Sequence, residues 1–370
     1  MKTSAILLAA GKGSRFGAPK QFLMVHGKPI YAYSLEKFLP LVDEVILVIP
    51  EGYSPEDVPH IEKYAGRLKV VEGGRERFNS SFNGIKHASG DVVLIHDTAR
   101  ALITRDVILR VMEALKEHRA VVPVVKLRDT IRRKDGVEMN RDELFAVQTP
   151  QGFFRDDMIR AYSSAIREGV SGTDDAFFYR KYVNSDIYFV EGDYRNFKIT
   201  YPEDMEMFAR MILTDIRIGY GWDVHPVVGG RDFFIAGLKV AQGYGPLGHS
   251  DGDSLSHAII DALLGATSMG NIGQLFPDSS GEWKEASSIR MLEDVASRLR
   301  EEGWILLNVD AVIILEKPRL GNHLSDITER IAQALGVDGD RVSVKPKSGN
   351  GIRTGIFEAQ VVVRVGRVSV

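Results

Sequence analysis

The sequence predicts an α/β chain of two domains, the first built on a doubly wound, mostly parallel sheet. Three observations carry that expectation. Apolar runs of strand length recur along the first half: Ala5 to Ala10, Glu44 to Ile49, Leu68 to Val71, Val92 to Ile95 and Val121 to Val125. Helical stretches such as Ile30 to Leu39 and Asp106 to Glu117 separate them, the alternation expected of parallel strands joined by crossover helices. Glycines, acids and bases then cluster just after the runs, where such a sheet places its ligand site. At 370 residues the chain exceeds one average domain. A last helix from Pro202 to Ile212 and a fresh strand at Ile216 to Gly219 set the expected boundary near Leu213, giving domains 1–213 and 214–370.

Composition narrows the function classes. Hydrophobic residues make up 44% and charged residues 26%, an ordinary globular balance. The formal net charge of -3 argues against a nucleic-acid-tracking surface, so the expected partners are small anions and no nucleic acid. No cysteine is present, which leaves His, Asp and Glu as the metal donors and suits a reducing cytoplasm. The apolar start before Gly11 is too short for a secretory leader, and no stretch approaches the roughly 20 apolar residues of a membrane span. A soluble chain with no membrane partner is expected.

The stretch from Ile6 to Phe22 organises the first half. Gly11, Gly13 and Gly17 let the backbone turn sharply after the first strand, and amide N–H groups in such a turn converge on an anion. Lys12, Arg15 and Lys20 add fixed charge. Phe16 occupies the third glycine's place of Gly-x-Gly-x-x-Gly, and no Gly-Lys-Ser/Thr follows, so neither a dinucleotide loop nor a P-loop is supported. After later strands come Gly73-Gly74-Arg75-Glu76-Arg77 with Ser80, and His96-Asp97-Thr98-Ala99-Arg100. An acid and an arginine at a strand's carboxyl end suit a metal or hydroxyl and a phosphate respectively.

Ala9-Ala10-Gly11-x-Gly13-x-Arg15 followed by Pro19-Lys20-Gln21 resembles the signature of nucleotidyltransferases, and more closely the 2-C-methyl-D-erythritol 4-phosphate cytidylyltransferase family. The resemblance continues in register through the two motifs above, Asp129-Thr130, Arg141, Thr149-Pro150-Gln151, Thr173-Asp174-Asp175-Ala176 and Asn196-Phe197-Lys198. It implies a nucleotidyltransferase-like sheet, Arg15 and Lys20 as catalytic cations, and CTP contacts from Ala9, Ala10, Gly11, Gly13, Gly73, Gly74, Arg77 and Ser80. Asp97, Arg100, Thr130, Arg141, Thr149 and Lys198 match the acceptor-binding set, with Arg141 supplied by the partner subunit of a dimer. Stabilising the charge that builds when a phosphate oxygen attacks the α-phosphorus of CTP is the physical task of such cations.

In the second half, Asp223 and His225 are two apart on an expected strand and share one face, so both can reach a single ion. His257 is the candidate third ligand on a following helix. With no sulfur available, three Asp/His donors and one open position describe a catalytic zinc-type site. Asp-x-His, His249-Ser250-Asp251-Gly252-Asp253, the His257 helix and Ile272-Gly273-x-x-Phe276-Pro277-Asp278 together resemble the 2-C-methyl-D-erythritol 2,4-cyclodiphosphate synthase family over nearly all of 214–370. That resemblance implies an α+β trimer with sites between subunits and a zinc-like ion, manganese or cobalt being alternatives, at Asp223, His225 and His257. Magnesium is implied for CTP and for the cyclase diphosphate. His249 and Ser348 match catalytic positions. Ser250, Asn271, Gly273, Phe276, Asp278, Arg319, Lys347, Asn350 and Arg353 match substrate contacts, with Arg319 in a cytidine pocket spanning Leu315 to Leu320.

Two places depart from the second family's pattern. Asn271 replaces an aspartate, and the segment from Lys345 to Arg353 is shorter and carries Asn350 where a glutamate ligates the second ion, with Ser348 keeping a hydroxyl. The two resemblances together imply a bifunctional isoprenoid-precursor enzyme, whose first half makes 4-diphosphocytidyl-2-C-methyl-D-erythritol and pyrophosphate and whose second cyclises the 2-phosphorylated derivative with release of CMP, and two further readings stand beside it. One is an active cytidylyltransferase with a weakly active or scaffold-only trimeric second domain, the other a nucleotidyl transfer to a different polyol phosphate. A kinase acting between the two steps is a candidate partner, since the steps are not consecutive.

Overall fold

The computed structural model describes residues 1–11, 13, 16–248, 250–277 and 287–368, and the chain divides into two compact units, Met1–Arg210 and Met211–Val370. In the first unit eight strands form one sheet: β1 (Thr3–Leu8), β2 (Glu44–Ile49), β3 (Lys69–Glu72), β4 (Val92–Asp97), β5 (Ala120–Lys126), β6 (Phe145–Val147), β7 (Gln151–Phe154) and β8 (Tyr188–Glu191). Across the sheet the order runs β3-β2-β1-β4-β7-β5, with β6 and β8 also pairing with β5. The pairs β1–β2, β1–β4, β2–β3 and β5–β8 are parallel, whereas β6 and β7 run against their neighbours. The expected mostly parallel α/β sheet is thus observed.

Six helices clothe it: α1 (Ile30–Phe38), α2 (Arg77–His87), α3 (Arg105–Ala114), α4 (Arg155–Glu168), α5 (Asp175–Tyr182) and α6 (Pro202–Met211). Strand residues alternate between two buried clusters. Ala5, Leu7, Val45 and Leu47 pack with Tyr31, Leu35, Val107 and Val111, while Ile6, Leu8, Ile46 and Val48 pack with Ile85, Tyr162 and Phe178 on the opposite face. Burial on both faces is why these strands read as continuous apolar runs rather than alternating ones. Helix α2 had no clear sequence signal, because Asn79-Ser80-Ser81 and Gly84 are poor helix formers. Packing overrides propensity: a Cβ at Gly84 would come within 2.4 Å of Ile6 Cγ2, so glycine lets α2 lie directly on β1.

The second unit carries a five-stranded sheet of β9 (Leu213–Gly229), β10 (Tyr244–Pro246), β11 (Trp304–Leu315), β12 (Val342–Lys347) and β13 (Ile356–Val368), ordered β10-β9-β13-β11-β12. All neighbours are antiparallel except β11 and β12. Helices α7 (Ser254–Thr267), α8 (Ile272–Leu275), α9 (Ser288–Glu301) and α10 (Leu324–Leu335) join one apolar core with the inner sheet face. The short strand expected at Ile216 to Gly219 is a 17-residue one, sustained by pairing with β13 from Leu213↔Val368 to Pro226↔Ile356. On its outer face Ile218 and Trp222 remain 72% and 52% exposed. On its inner face Gly219 and Gly221 admit α7, since a Cβ at Gly221 would lie 1.9 Å from the Ala258 carbonyl oxygen.

That contact is backbone against backbone and has no soft partner to yield. Gly221→Ala is expected to destabilise the second unit by about 2–3 kcal/mol, read as a lower denaturation midpoint. An unchanged midpoint would show that α7 is free to withdraw.

Candidate functional site

In the first unit the carboxyl ends of β1, β2 and β4 lie side by side, with Leu8 opposite both Val48 and Asp97. A cavity of about 270 Å³ opens there, lined by Ala10, Gly11, Gly13, Lys20, Gly74, Arg75, Glu76, Arg77, Ser80, Asp97 and Lys198 among others. The glycine-rich turn reaches it because Gly13 adopts φ +63°, a left-handed conformation in which a Cβ would meet the Ala18 carbonyl. Gln21 holds the turn in place. Its Nε2 donates to the Ala9 and Gly11 carbonyls at 2.6 and 3.0 Å. Gly73 is equally constrained, with Ala10 Cβ, Ser80 Oγ and the Ile49 carbonyl all within 3 Å of where its Cβ would stand. Ser80 Oγ accepts the Gly74 N–H at 3.0 Å and stiffens the entry to α2.

Asp97 is the electrostatic centre. Arg77 Nε donates to Oδ1 at 3.0 Å, and Lys198 Nζ donates to Oδ2 at 2.7 Å. Burial works to raise this carboxyl, but Arg77, Lys198 and Arg100 overcome it and hold the group well below the usual carboxylate range. Arg100 donates to the Asn196 and Val147 carbonyls at 2.9 and 3.2 Å, tying together the segments that carry Lys198 and Thr149. Thr149 is buried; its Oγ1 accepts the Asp97 N–H at 3.2 Å and lies 2.9 Å from His96 Nδ1.

The structure therefore gathers most of the expected first-half residues around one cavity, with some reassignment. Thr149 faces inward as a brace for Asp97 rather than lining the cavity. Thr130 and Arg141 sit on the exposed 127–147 excursion, where Arg141 donates to the Arg128 carbonyl at 2.8 Å and does not reach this chain's own cavity. Arg15 lies outside the described residues. Gln21 and His96 carry no sequence signal for their roles, because each acts through a contact with a distant or buried partner.

In the second unit β9 sets Asp223 and His225 on one face and α7 brings His257 to them. Asp223 Oδ2 is 3.2 Å from His225 Nε2 and 3.3 Å from His257 Nδ1. One donor atom from each residue lies within 4.8 Å of the others. His225 Nε2 is buried and meets only the Asp223 carboxylate, at 3.2 Å and without good hydrogen-bond geometry. The donor set, with a buried ring nitrogen that lacks a well-formed hydrogen bond, fits a divalent ion. Burial raises the Asp223 carboxyl, yet the two histidines hold it below the usual range; burial lowers His257, yet Asp223 and the neighbouring Asp253 and Asp251 leave it raised. Ser288 Oγ lies 2.9 Å from His257 Nε2 and its N–H donates to Asp251 at 3.0 Å, so this serine orients the ring. Asp253 caps α7, accepting from Leu255 and Ser256 N–H at 3.1 and 3.3 Å.

The departures in this half have local structural roles. Asn271 Oδ1 accepts the Gln274 N–H at 2.9 Å and starts α8, which includes Gly273. Phe276, expected as a substrate contact, is buried in the core. Asn350 sits at φ +49° with Oδ1 accepting the Ser348 hydroxyl at 3.1 Å, which joins the two side chains across one tight turn. Arg353 is paired with the buried Glu358. Ser250 lies 3.2 Å from His257 Nε2, while Arg319 and Lys347 are exposed. His249 and Asp278 lie outside the described residues.

The fold and the two sites define a nucleotidyltransferase joined to a metal-site α+β domain. Comparison with known proteins narrows both parts. Residues 3–215 match the family model described as 2-C-methyl-D-erythritol 4-phosphate cytidylyltransferase, and residues 216–365 match the YgbB family. A bifunctional enzyme IspD/IspF from Gluconobacter oxydans (strain 621H) is 36% identical over 93% of this chain and 92% of its own, and one from Desulforudis audaxviator (strain MP104C) is 37% identical over 95% and 92%. The solved 2-C-methyl-D-erythritol 4-phosphate cytidylyltransferase of Thermus thermophilus aligns with a TM-score of 0.50 and 32% identity, covering 57% of this chain and 100% of its own. The chain belongs to the bifunctional IspD/IspF family of isoprenoid-precursor enzymes, a cytidylyltransferase and a cyclodiphosphate synthase in one polypeptide.

His96 offers a check on the first unit. Burial pushes its imidazole down to about 3, so the folded chain keeps it neutral where the unfolded chain protonates it. Stability from this residue is full above the unfolded value near pH 6.5 and is lost as pH falls toward 3. Denaturant unfolding between about pH 4 and 6.5 should show a slope up to ~1.4 kcal/mol per pH unit shallower in His96→Gln than in the native chain. Equal slopes would mean His96 is not held neutral.

Proposed function

We propose that residues 1–213 join CTP to 2-C-methyl-D-erythritol 4-phosphate with release of pyrophosphate, and that residues 214–370 close the 2-phosphorylated product to 2-C-methyl-D-erythritol 2,4-cyclodiphosphate with release of CMP. The observation that carries the first assignment is the convergence of Lys20, Arg77, Asp97 and Lys198 on one glycine-lined cavity at the strand ends. Ala9, Ala10, Gly11, Gly13, Gly73, Gly74, Arg77 and Ser80 bind the nucleotide; Arg15 and Lys20 stabilise charge at the α-phosphorus; Asp97, Arg100 and Lys198 order the acceptor, with Thr149 behind them. Thr130 and Arg141, exposed on their excursion, serve the cavity of a partner copy in a dimer.

For the second half, Asp223, His225 and His257 hold a zinc-like ion, with manganese or cobalt as alternatives. Such an ion, when bound, supplies Lewis acidity toward a diphosphate oxygen. Magnesium accompanies CTP and the cyclase diphosphate. His249, Ser250 and Ser348 act on the substrate beside that centre, and Arg319 faces the cytidine. The exposed Ile218, Tyr220 and Trp222 on β9 support a trimer formed through the outer sheet face. The first product lacks the phosphate that cyclisation consumes, so a kinase acts between the two steps. No helix among the described residues is long and apolar enough to cross a membrane, and the cysteine-free chain suits the cytoplasm.

Lys20→Ala should lower pyrophosphate release on the order of 10²-fold or more while CMP release stays normal. Near-normal pyrophosphate release would overturn the assignment of that lysine. Independently, His257→Ala should lose the stoichiometric bound ion by metal analysis together with CMP release, leaving pyrophosphate release intact; robust CMP release from a metal-free native chain would contradict the metal reading.

A further inference from the structure

We propose that Asp175 is a positioning residue for cytidylyl transfer, acting through Arg77 and Asp97 on Lys198. The inference rests on the reading of Lys198 as the residue that receives the acceptor phosphate. Asp175 stands at the start of α5, is fully buried and does not line the cavity. The hydroxyls of Ser81 on α2 and Tyr162 on α4 donate to its Oδ1 at 3.0 and 2.5 Å. Its Oδ2 forms an ion pair with Arg77 at 2.9 Å, and Arg77 in turn reaches Asp97 at 3.0 Å. Asp97 spends its second oxygen on Lys198. One guanidinium thus bridges two carboxylates, and the far carboxylate anchors the lysine at the cavity wall.

Charge balance explains why the outer end of this chain depends on the inner one. Two carboxylates face Arg77 and Lys198: Asp97 is shared by both cations, and Arg77 by both carboxylates. The rigid guanidinium hydrogen-bonds Asp97 through Nε and meets Asp175 Oδ2, which has no hydrogen-bond partner among the described residues, as an ion pair, while α2, α4 and α5 fix that inner carboxylate. With Asp175 neutral, the full charge of Arg77 would turn to Asp97 and compete with Lys198 for that carboxylate. The ammonium would lose its fixed place, and the acceptor phosphate would meet a mobile lysine instead of an oriented one.

The test uses the full chain with saturating CTP and varied methylerythritol phosphate, following pyrophosphate. Asp175→Asn keeps the side-chain shape and an oxygen for both hydroxyls while removing the charge. It should lower kcat/KM for the acceptor by about tenfold, mostly through KM, and leave CMP release unchanged. Added to Lys198→Ala, the same change should cost no more than about twofold, because the two residues act along one chain of contacts. A purely structural carboxylate would give losses that multiply, and that result, or an Asp175→Asn enzyme within about twofold of native, would overturn the proposal. Should Asp175→Asn fail to fold, Tyr162→Phe removes one hydrogen bond to the carboxylate and leaves its charge. A loss of about two- to fivefold that vanishes on the Lys198→Ala background is then expected, and no loss would overturn the proposal. An unchanged acceptor KM in Lys198→Ala alone would instead refute the reading of Lys198, so the two failures are distinguishable.

Discussion

The first half depends on one constraint: cations gathered for an anionic substrate repel one another until a carboxylate is placed among them. Asp97 is that carboxylate. It ends β4 directly opposite Leu8, so the strand register itself delivers it to the mouth of the glycine-rich turn. A carboxylate in that position would be costly to bury alone, and Arg77, Lys198 and Arg100 make it stable there. The exchange is mutual, because Asp97 also orders Arg77 and Lys198 before any substrate arrives. Preorganised charge of this kind costs no rearrangement when negative charge develops.

The second half solves a different problem, bringing three Asp and His donor atoms from two elements within 4.8 Å of one another. Asp223 and His225 are neighbours by strand geometry alone, but His257 must come from a helix. Two glycines on β9 remove the side chains that would hold α7 away, and Asp253 fixes where that helix begins. The gathering of Asp223, His225 and His257 is therefore a consequence of missing Cβ atoms as much as of the three residues themselves. Below it, Ser288 and Asp251 fix the orientation of His257, a supporting contact supplied by α9.

These two solutions coexist in one chain because neither asks anything of the other's geometry. The first needs loops at the ends of parallel strands, which tolerate the glycine-rich turn and the long 127–147 excursion. The second needs an antiparallel sheet with one face closed by helices and the other left apolar and open. That open face, with Ile218, Tyr220 and Trp222 exposed, is more than a soluble surface ordinarily presents in one strip.

Much of this was legible in the sequence. Runs such as Glu44–Ile49 declare themselves because a strand buried on both faces must be apolar throughout, and Asp223-x-His225 declares itself because strand periodicity is local. The order of short motifs was enough to name both families, since order survives where individual residues are ordinary. Helix α2 was hidden, because its glycine and serines suit a tertiary contact with β1 rather than an isolated helix. The bracing of Asp97 by Thr149, the link from Asp175 to Arg77 and the pairing of Arg353 with Glu358 were equally invisible. Each joins residues whose partnership no spacing encodes. What the sequence determined by itself was which residues carry charge, which turns need glycine and which segments must be buried. Tertiary structure alone decided which charges are spent on one another and which are left for a substrate, because Coulomb and hydrogen-bond energies depend on distances that only the folded chain sets.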